Sequence, residues 1–250
     1  MGVAWITGAG KGIGKAVTLE LASRGWTVAA SARTEADLVS VEAEAAAAGG
    51  RVVPFVLDIT EQTAVSQAVG RIEDRLGGID LAFLNAGTYV RFGVADFAVE
   101  AFGRQIEINV MGTVNCLDPV LARMRQRNAG HIAVVSSLTA YRGLPYASAY
   151  GASKAALTNM CEAMKPELDA LGIQMTIIHP GFVKTPLTDL NEFPMPFLME
   201  ADAAARRIVD GLERGAFEIT FPRRLAILLK LARCLPYGLY FAMTRRLVKT

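Results

Sequence analysis

A chain of 250 residues, 52% apolar and 20% charged, holds enough apolar material for one buried core and excludes a disordered, solvating polymer. Its 26 Lys and Arg against 24 Asp and Glu leave a net charge of +2, which gives no overall case for a nucleic-acid partner. Cys116, Cys161 and Cys234 stand far apart and outside any CxxC or Cys/His pattern, so neither a disulfide framework nor a zinc site is expected and a reducing compartment is the default.

Strand-like runs at 3–7, 28–32, 52–57, 79–84, 131–136, 173–178 and 217–220 alternate with helical patterns at 13–24, 35–48, 61–76, 96–127, 149–171 and 201–214. That order predicts a doubly wound parallel α/β sheet in three layers, Rossmann-like, with right-handed crossovers. Such sheets bind ligands beyond the carboxyl ends of their strands, so the residues after each run matter most.

The first strand ends in Thr7-Gly8-Ala9-Gly10-Lys11-Gly12-Ile13-Gly14, and a helix follows. Unhindered amides and the positive helix end would face a pyrophosphate, although the same glycines also serve a bare strand-to-helix turn. The second strand closes on Ala32-Arg33, where an acid would hold an NAD ribose. Arg33 and Lys11 would neutralise a ribose phosphate of roughly −1.5 to −2 charge, which favours NADP(H); the alternative is two solvated cations at helix starts. The third strand ends at Asp58-Ile59, where Asp58 also suits an N-cap or turn, and the fourth at Asn85-Ala86-Gly87. At the fifth, strand alternation favours Ser137 over Ser136 as the hydroxyl turned to a ligand. Tyr150 and Lys154 share one side of the next helix at i,i+4, a spacing that alone is a common accident. The sixth strand runs into His179-Pro180-Gly181-Phe182-Val183-Lys184-Thr185. His131 and His179 lack a ligand pattern around them, so both read as structural and no metal is expected.

Together the glycine loop, Asn85-Ala86-Gly87, Asn109, Ser137, the Tyr150–Lys154 pair and the Pro180–Thr185 segment resemble the short-chain dehydrogenase/reductase family over roughly residues 2–221. The resemblance implies an NADP-dependent oxidoreductase that passes a hydride to a ketone or aldehyde, reversibly. Around the cofactor it places Gly8, Gly10, Lys11, Gly12, Ile13, Gly14, Arg33, Asp58, Ile59, Asn85, Ala86, Gly87, Tyr150, Lys154, Pro180, Gly181, Val183 and Thr185. Its catalytic set corresponds to Asn109, Ser137, Tyr150 and Lys154. A phenol with an ordinary pKa near ~10 needs a neighbouring cation to exchange protons near neutrality, and Lys154 is expected to supply it. Ser137 would hold the carbonyl, and Asn109 a water relaying protons from Lys154. The family also implies a homo-oligomer through its long helices. A catalytically idle NADP-binding sensor or membrane-surface scaffold is the alternative, and it would not need all four residues.

Residues 186–199, with Pro194, Pro196, Phe193, Met195, Phe197, Leu198 and Met199, correspond to the family's substrate cover. They suggest a hydrophobic ketone or aldehyde, or else packing onto the domain or a second subunit. Residues 1–221 then form a catalytic domain and 222–250 a basic amphipathic extension. The extension holds Arg223, Arg224, Lys230, Arg233, Arg245, Arg246 and Lys249 and no acid, a charge of +7 that leaves −5 on the rest. A helical wheel gathers Leu225, Leu228, Leu229, Leu231, Ala232 and Leu235 on one side and Arg223, Lys230 and Arg233 opposite, until Pro236 breaks the helix. Tyr237, Leu239, Tyr240 and Phe241 continue the pattern. Peripheral contact with an anionic membrane is expected, against an oligomer-forming or pocket-capping role. No nucleic-acid recognition module accompanies these charges. The longest uncharged run there, 234–244, is too short to span a bilayer. With no leader-like start, the expected location is the cytoplasm, peripheral at the membrane.

Overall fold

Short β-branched and alanine-rich runs become strands because helices crossing over both faces of a parallel sheet bury both sides of each. The computed structural model describes residues 2–189 and 195–248. Met1, Phe193, Pro194 and Lys249 lie outside the described residues. The strands are β1 (Val3–Thr7), β2 (Thr27–Ala32), β3 (Arg51–Val56), β4 (Ile79–Leu84), β5 (Gly130–Val135), β6 (Ile173–Pro180) and β7 (Glu218–Phe221). The helices are α1 (Gly12–Ser23), α2 (Glu35–Ala47), α3 (Gln62–Leu76), α4 (Val99–Ile106), α5 (Gly112–Arg127), α6 (Ser148–Ala170), α7 (Ala201–Glu213), α8 (Arg223–Arg233) and α9 (Tyr237–Thr244).

The sheet runs β3-β2-β1-β4-β5-β6-β7, with every pair parallel. Strand alternation divides the core. Val3 and Trp5 join the cluster under α3, α5 and α6, while Ala4 and Ile6 join the one under α1, α2 and α7. Trp5 is fully buried, and its indole N–H donates to Ser31 Oγ at 2.9 Å, which removes the penalty of a lone buried donor. Pro54, which cannot donate to a ladder, is tolerated because β3 is an edge strand. The order reverses between β1 and β4, so their carboxyl ends open the crevice expected at such a switch point.

Two expectations are corrected. The helix expected at 96–127 begins only at Val99 and is split by a widened π-type turn, Glu107–Met111, between α4 and α5. The extra residue in that turn accompanies an inward Asn109, which is fully buried. The helix in the extension does stop before Pro236, but its leucines do not form one side. Leu225 and Leu229 join Ala226 against Leu138 and Tyr141, whereas Leu228 and Leu231 face outward with Ile227. The leucine set is wider than the stripe one helix can bury. Lys230, placed opposite the leucines on the wheel, stays partly exposed and pairs with Glu218. Arg142 donates to the carbonyls of Ala232 (2.5 Å), Arg233 (3.1 Å) and Leu235 (2.7 Å), satisfying the orphan acceptors at the end of α8. No helix among the described residues is long and apolar enough to cross a membrane.

Candidate active site

The β1 and β4 ends are tied by side chains. Thr7 Oγ1 accepts from the Asn85 and Ala86 amides (3.0 and 3.1 Å), and Asn85 Nδ2 donates to the Thr7 carbonyl at 3.1 Å. The glycine loop packs into this junction without room for side chains. A Cβ on Gly14 would lie 2.1 Å from the Gly8 carbonyl oxygen, and Gly8 itself has a φ of +67°. Lys11, at the N-cap of α1, makes no side-chain capping bond and the first turn holds no acid. The leading amides of α1 thus face outward uncapped, as a pyrophosphate requires.

Arg33 and Lys11 lie beside acids: Lys11 Nζ is 3.1 Å from Asp37 Oδ2, and Arg33 Nη1 is 4.0 Å from Asp58 Oδ2. Both cations are mostly exposed, so neither pair holds its partner strongly. Asp58 is a turn residue that accepts from the Thr60 N–H (3.0 Å) and O–H (2.8 Å). Burial works to raise its carboxyl, but those bonds and Arg33 prevail and hold it below the ordinary range. Ile59 is buried, with its side chain filling the space a Cβ on Gly112 would need. Asp58 is therefore the accessible member of that pair.

A cleft of about 120 Å³ opens beyond β1, β4, β5 and β6. It brings together Ile13, Asn85, Gly87, Ser137, Tyr150, Lys154, Pro180, Gly181, Val183 and Thr185. Gly8, Gly10, Lys11, Gly12, Gly14, Arg33, Asp58, Ile59, Ala86 and Asn109 do not line it. The first seven of these lie along the neighbouring ends of β1, β2 and β3, and Asn109 lies buried behind the wall.

On that wall the Tyr150 phenol and the Ser137 side chain line the same cleft, and the Tyr150 ring meets Tyr89 edge-on at 4.9 Å. Burial pushes the phenol up to about 12 although part of the residue stays open, Ser137 opposing the rise and Tyr89 adding to it. Lys154 lies under the ring, with Nζ 5.8 Å from its centroid, and donates to the Val135 carbonyl at 2.8 Å. Burial lowers this ammonium to about 8. The Lys154 ammonium is engaged by a strand carbonyl, and desolvation dominates the phenol. Burial thus favours the protonated phenol at Tyr150.

Asn109 is tied to the β4 loop and to α6. Its Oδ1 accepts from the Thr88 amide (2.7 Å), and its Nδ2 donates to the Thr88 carbonyl (3.0 Å) and Ser153 Oγ (3.0 Å). With both amide hydrogens committed, the side chain braces the β4 loop against α6. Ser136 donates to the Lys154 carbonyl at 2.9 Å.

Residues 2–193 match the family model described as short chain dehydrogenase. The chain belongs to this family. A short-chain dehydrogenase is an oxidoreductase that uses a nicotinamide cofactor. An uncharacterized oxidoreductase of Myxococcus xanthus is 40% identical over 244 residues, 98% of this chain and 96% of its own, so the similarity reaches into residues 222–250. An alcohol dehydrogenase of Thermococcus sibiricus, complexed with 5-hydroxy-NADP, superposes with a TM-score of 0.80 at 25% identity, covering 88% of this chain and 96% of that one. A Burkholderia phymatum short-chain dehydrogenase/reductase in complex with NAD gives 0.85 at 22% identity and 92% of each chain, a likeness of fold.

In this short-chain dehydrogenase several residues in and beside the cleft carry no sequence signal of their own. Thr88 and Tyr89 follow Asn85-Ala86-Gly87 beyond the end of β4, a position that marks them. Thr188 donates to the Val183 carbonyl at 2.7 Å and holds the β6 loop in shape, a contact that no motif marks. Asp37, beside Gly10 and Lys11, reads in sequence only as an acid suited to the first turn of α2.

Proposed function

We propose that this short-chain dehydrogenase reduces hydrophobic ketones or aldehydes with NADPH, Tyr150 donating the proton. The observation that carries the reading is the convergence of Ser137, Tyr150 and buried Lys154 on one cleft, with the Lys154 Nζ 5.8 Å from the Tyr150 ring centroid. When bound, the cofactor supplies the hydride. Ser137 orients the substrate carbonyl, and Tyr150 delivers its proton to the carbonyl oxygen. Lys154 and Asn109 fix α6 against β5 and the β4 loop, so that phenol and hydroxyl meet the same oxygen. Leu187 on the cleft, with exposed Phe197 and Leu198 further along the same chain segment, favours an apolar substrate body. A panel of carbonyls of graded chain length, followed by loss of NADPH absorbance, tests this. Turnover rising with apolar length is expected; no consumption with any member, while NADPH binds, would leave an idle binder.

For the cofactor, Ala32 puts no carboxylate where a ribose diol would be held, and the weak pairs of Lys11 and Arg33 leave both cations ready to exchange their acids for a phosphate. The 5-hydroxy-NADP complex of the Thermococcus relative supports the same choice. NADPH is expected to bind at least ~10-fold tighter than NADH, with Arg33→Ala removing most of the difference. Equal dissociation constants for the two in wild type, by fluorescence titration, would contradict it.

A further inference from the structure

The geometry points to the outer side of α8 and α9 as a docking surface for an anionic lipid bilayer. Both helices are held to the body by one side only. Leu225, Ala226 and Leu229 pack on Leu138 and Tyr141, Lys230 pairs with Glu218, and the Tyr240 O–H donates to the Gly143 carbonyl at 2.6 Å. The Arg142 guanidinium lies 3.9 Å from the Tyr240 ring and also fastens the junction of the two helices. On the other side Ile227, Leu228, Leu231, Tyr237, Leu239 and Phe241 are each more than half exposed.

Charge decides what fits this apolar face. Arg223, Arg224, Arg233, Arg245 and Arg246 are all exposed, and no carboxylate occurs anywhere from 222 to 250. Apolar side chains entering the acyl boundary with cations at the headgroups make a matched pair with an anionic membrane. A second copy docked by the same surface would set two acid-free cationic rims against each other, which like-charge repulsion opposes. Helices of 11 and 8 residues cannot span a bilayer but can lie in its interface. The inner side of α8 touches Leu138, the residue after Ser137. Docking would therefore bring the bilayer to within about one helix diameter, ~10 Å, of the segment beside the cleft.

Flotation of the full chain with vesicles tests this, using phosphatidylcholine alone and mixed with phosphatidylglycerol. At least ~10-fold more bound protein is expected on the anionic vesicles, falling as salt is raised. Leu228→Glu with Leu231→Glu should lower that binding at least ~10-fold, and Arg245→Glu with Arg246→Glu should weaken it independently, both with an unchanged thermal unfolding transition. Equal partitioning of wild type and the arginine pair would overturn the proposal. So would a wild type that ignores vesicles and scatters light as a dimer dissolved by the leucine pair.

Discussion

Tyr150→Phe is expected to lower carbonyl turnover by ~10²- to 10⁴-fold while leaving the NADPH dissociation constant within about twofold of wild type. The substitution removes one oxygen from the cleft wall and leaves the ring contact with Tyr89 and the packing of α6 in place. Ser137, whose hydroxyl accepts from the Thr139 amide at 3.2 Å, is the poorer donor because an aliphatic alcohol is a weaker acid than a phenol. Steady-state kinetics beside a fluorescence titration separates the two effects. A Phe variant that turns over like wild type would transfer the proton-donor role elsewhere.

Gly14→Ala should abolish cofactor binding or folding outright. A methyl there meets the backbone oxygen of Gly8 at 2.1 Å and the Asn85 amide nitrogen at 2.6 Å, neither of which can retreat without opening the β1–β4 junction. Overpacking of this kind costs about 1–3 kcal/mol where neighbours yield and more where they are backbone. Gly70→Ala is the opposite case. Gly70 sits within α3 with nothing within 4 Å of the added methyl, so the change should stabilise the fold by about 0.5–1 kcal/mol. Thermal melts of the two variants, with NADPH titrations, check both; a well-folded, cofactor-binding Gly14→Ala would show that the loop is not packed this way.

Most of the sheet was legible because its strands are short runs bounded by glycine turns and helical patterns, and because β3 and β7 need bury less than the strands between them. The β6 run extends to Pro180, two residues past its apolar stretch, since His179 and Pro180 pair with Thr220 and Phe221 of β7, a contact that no local pattern signals. The π-type turn at 107–111 was illegible for the same reason: bonds from Asn109 to Thr88 and Ser153 hold its side chain inward, and both partners are remote in sequence. Within the site, residue types and spacing located Ser137, Tyr150 and Lys154 on one cleft. They did not reveal that the ammonium turns to the Val135 carbonyl, because that acceptor is a backbone atom and carries no residue signature. The outward turn of Leu228 and Leu231 followed from what α8 packs on, which a helical wheel does not contain.

Delivery of a hydride to a carbonyl carbon with a proton from Tyr150 is tested most directly by a single turnover with NADPH deuterated at the transferable position and the most reactive carbonyl of the panel. Wild type should yield an alcohol carrying one deuterium on its carbinol carbon, and Tyr150→Phe should bind the same cofactor yet form that alcohol at least ~100-fold more slowly. Unlabelled alcohol from wild type, or labelled alcohol formed equally fast by the Phe variant, would contradict it.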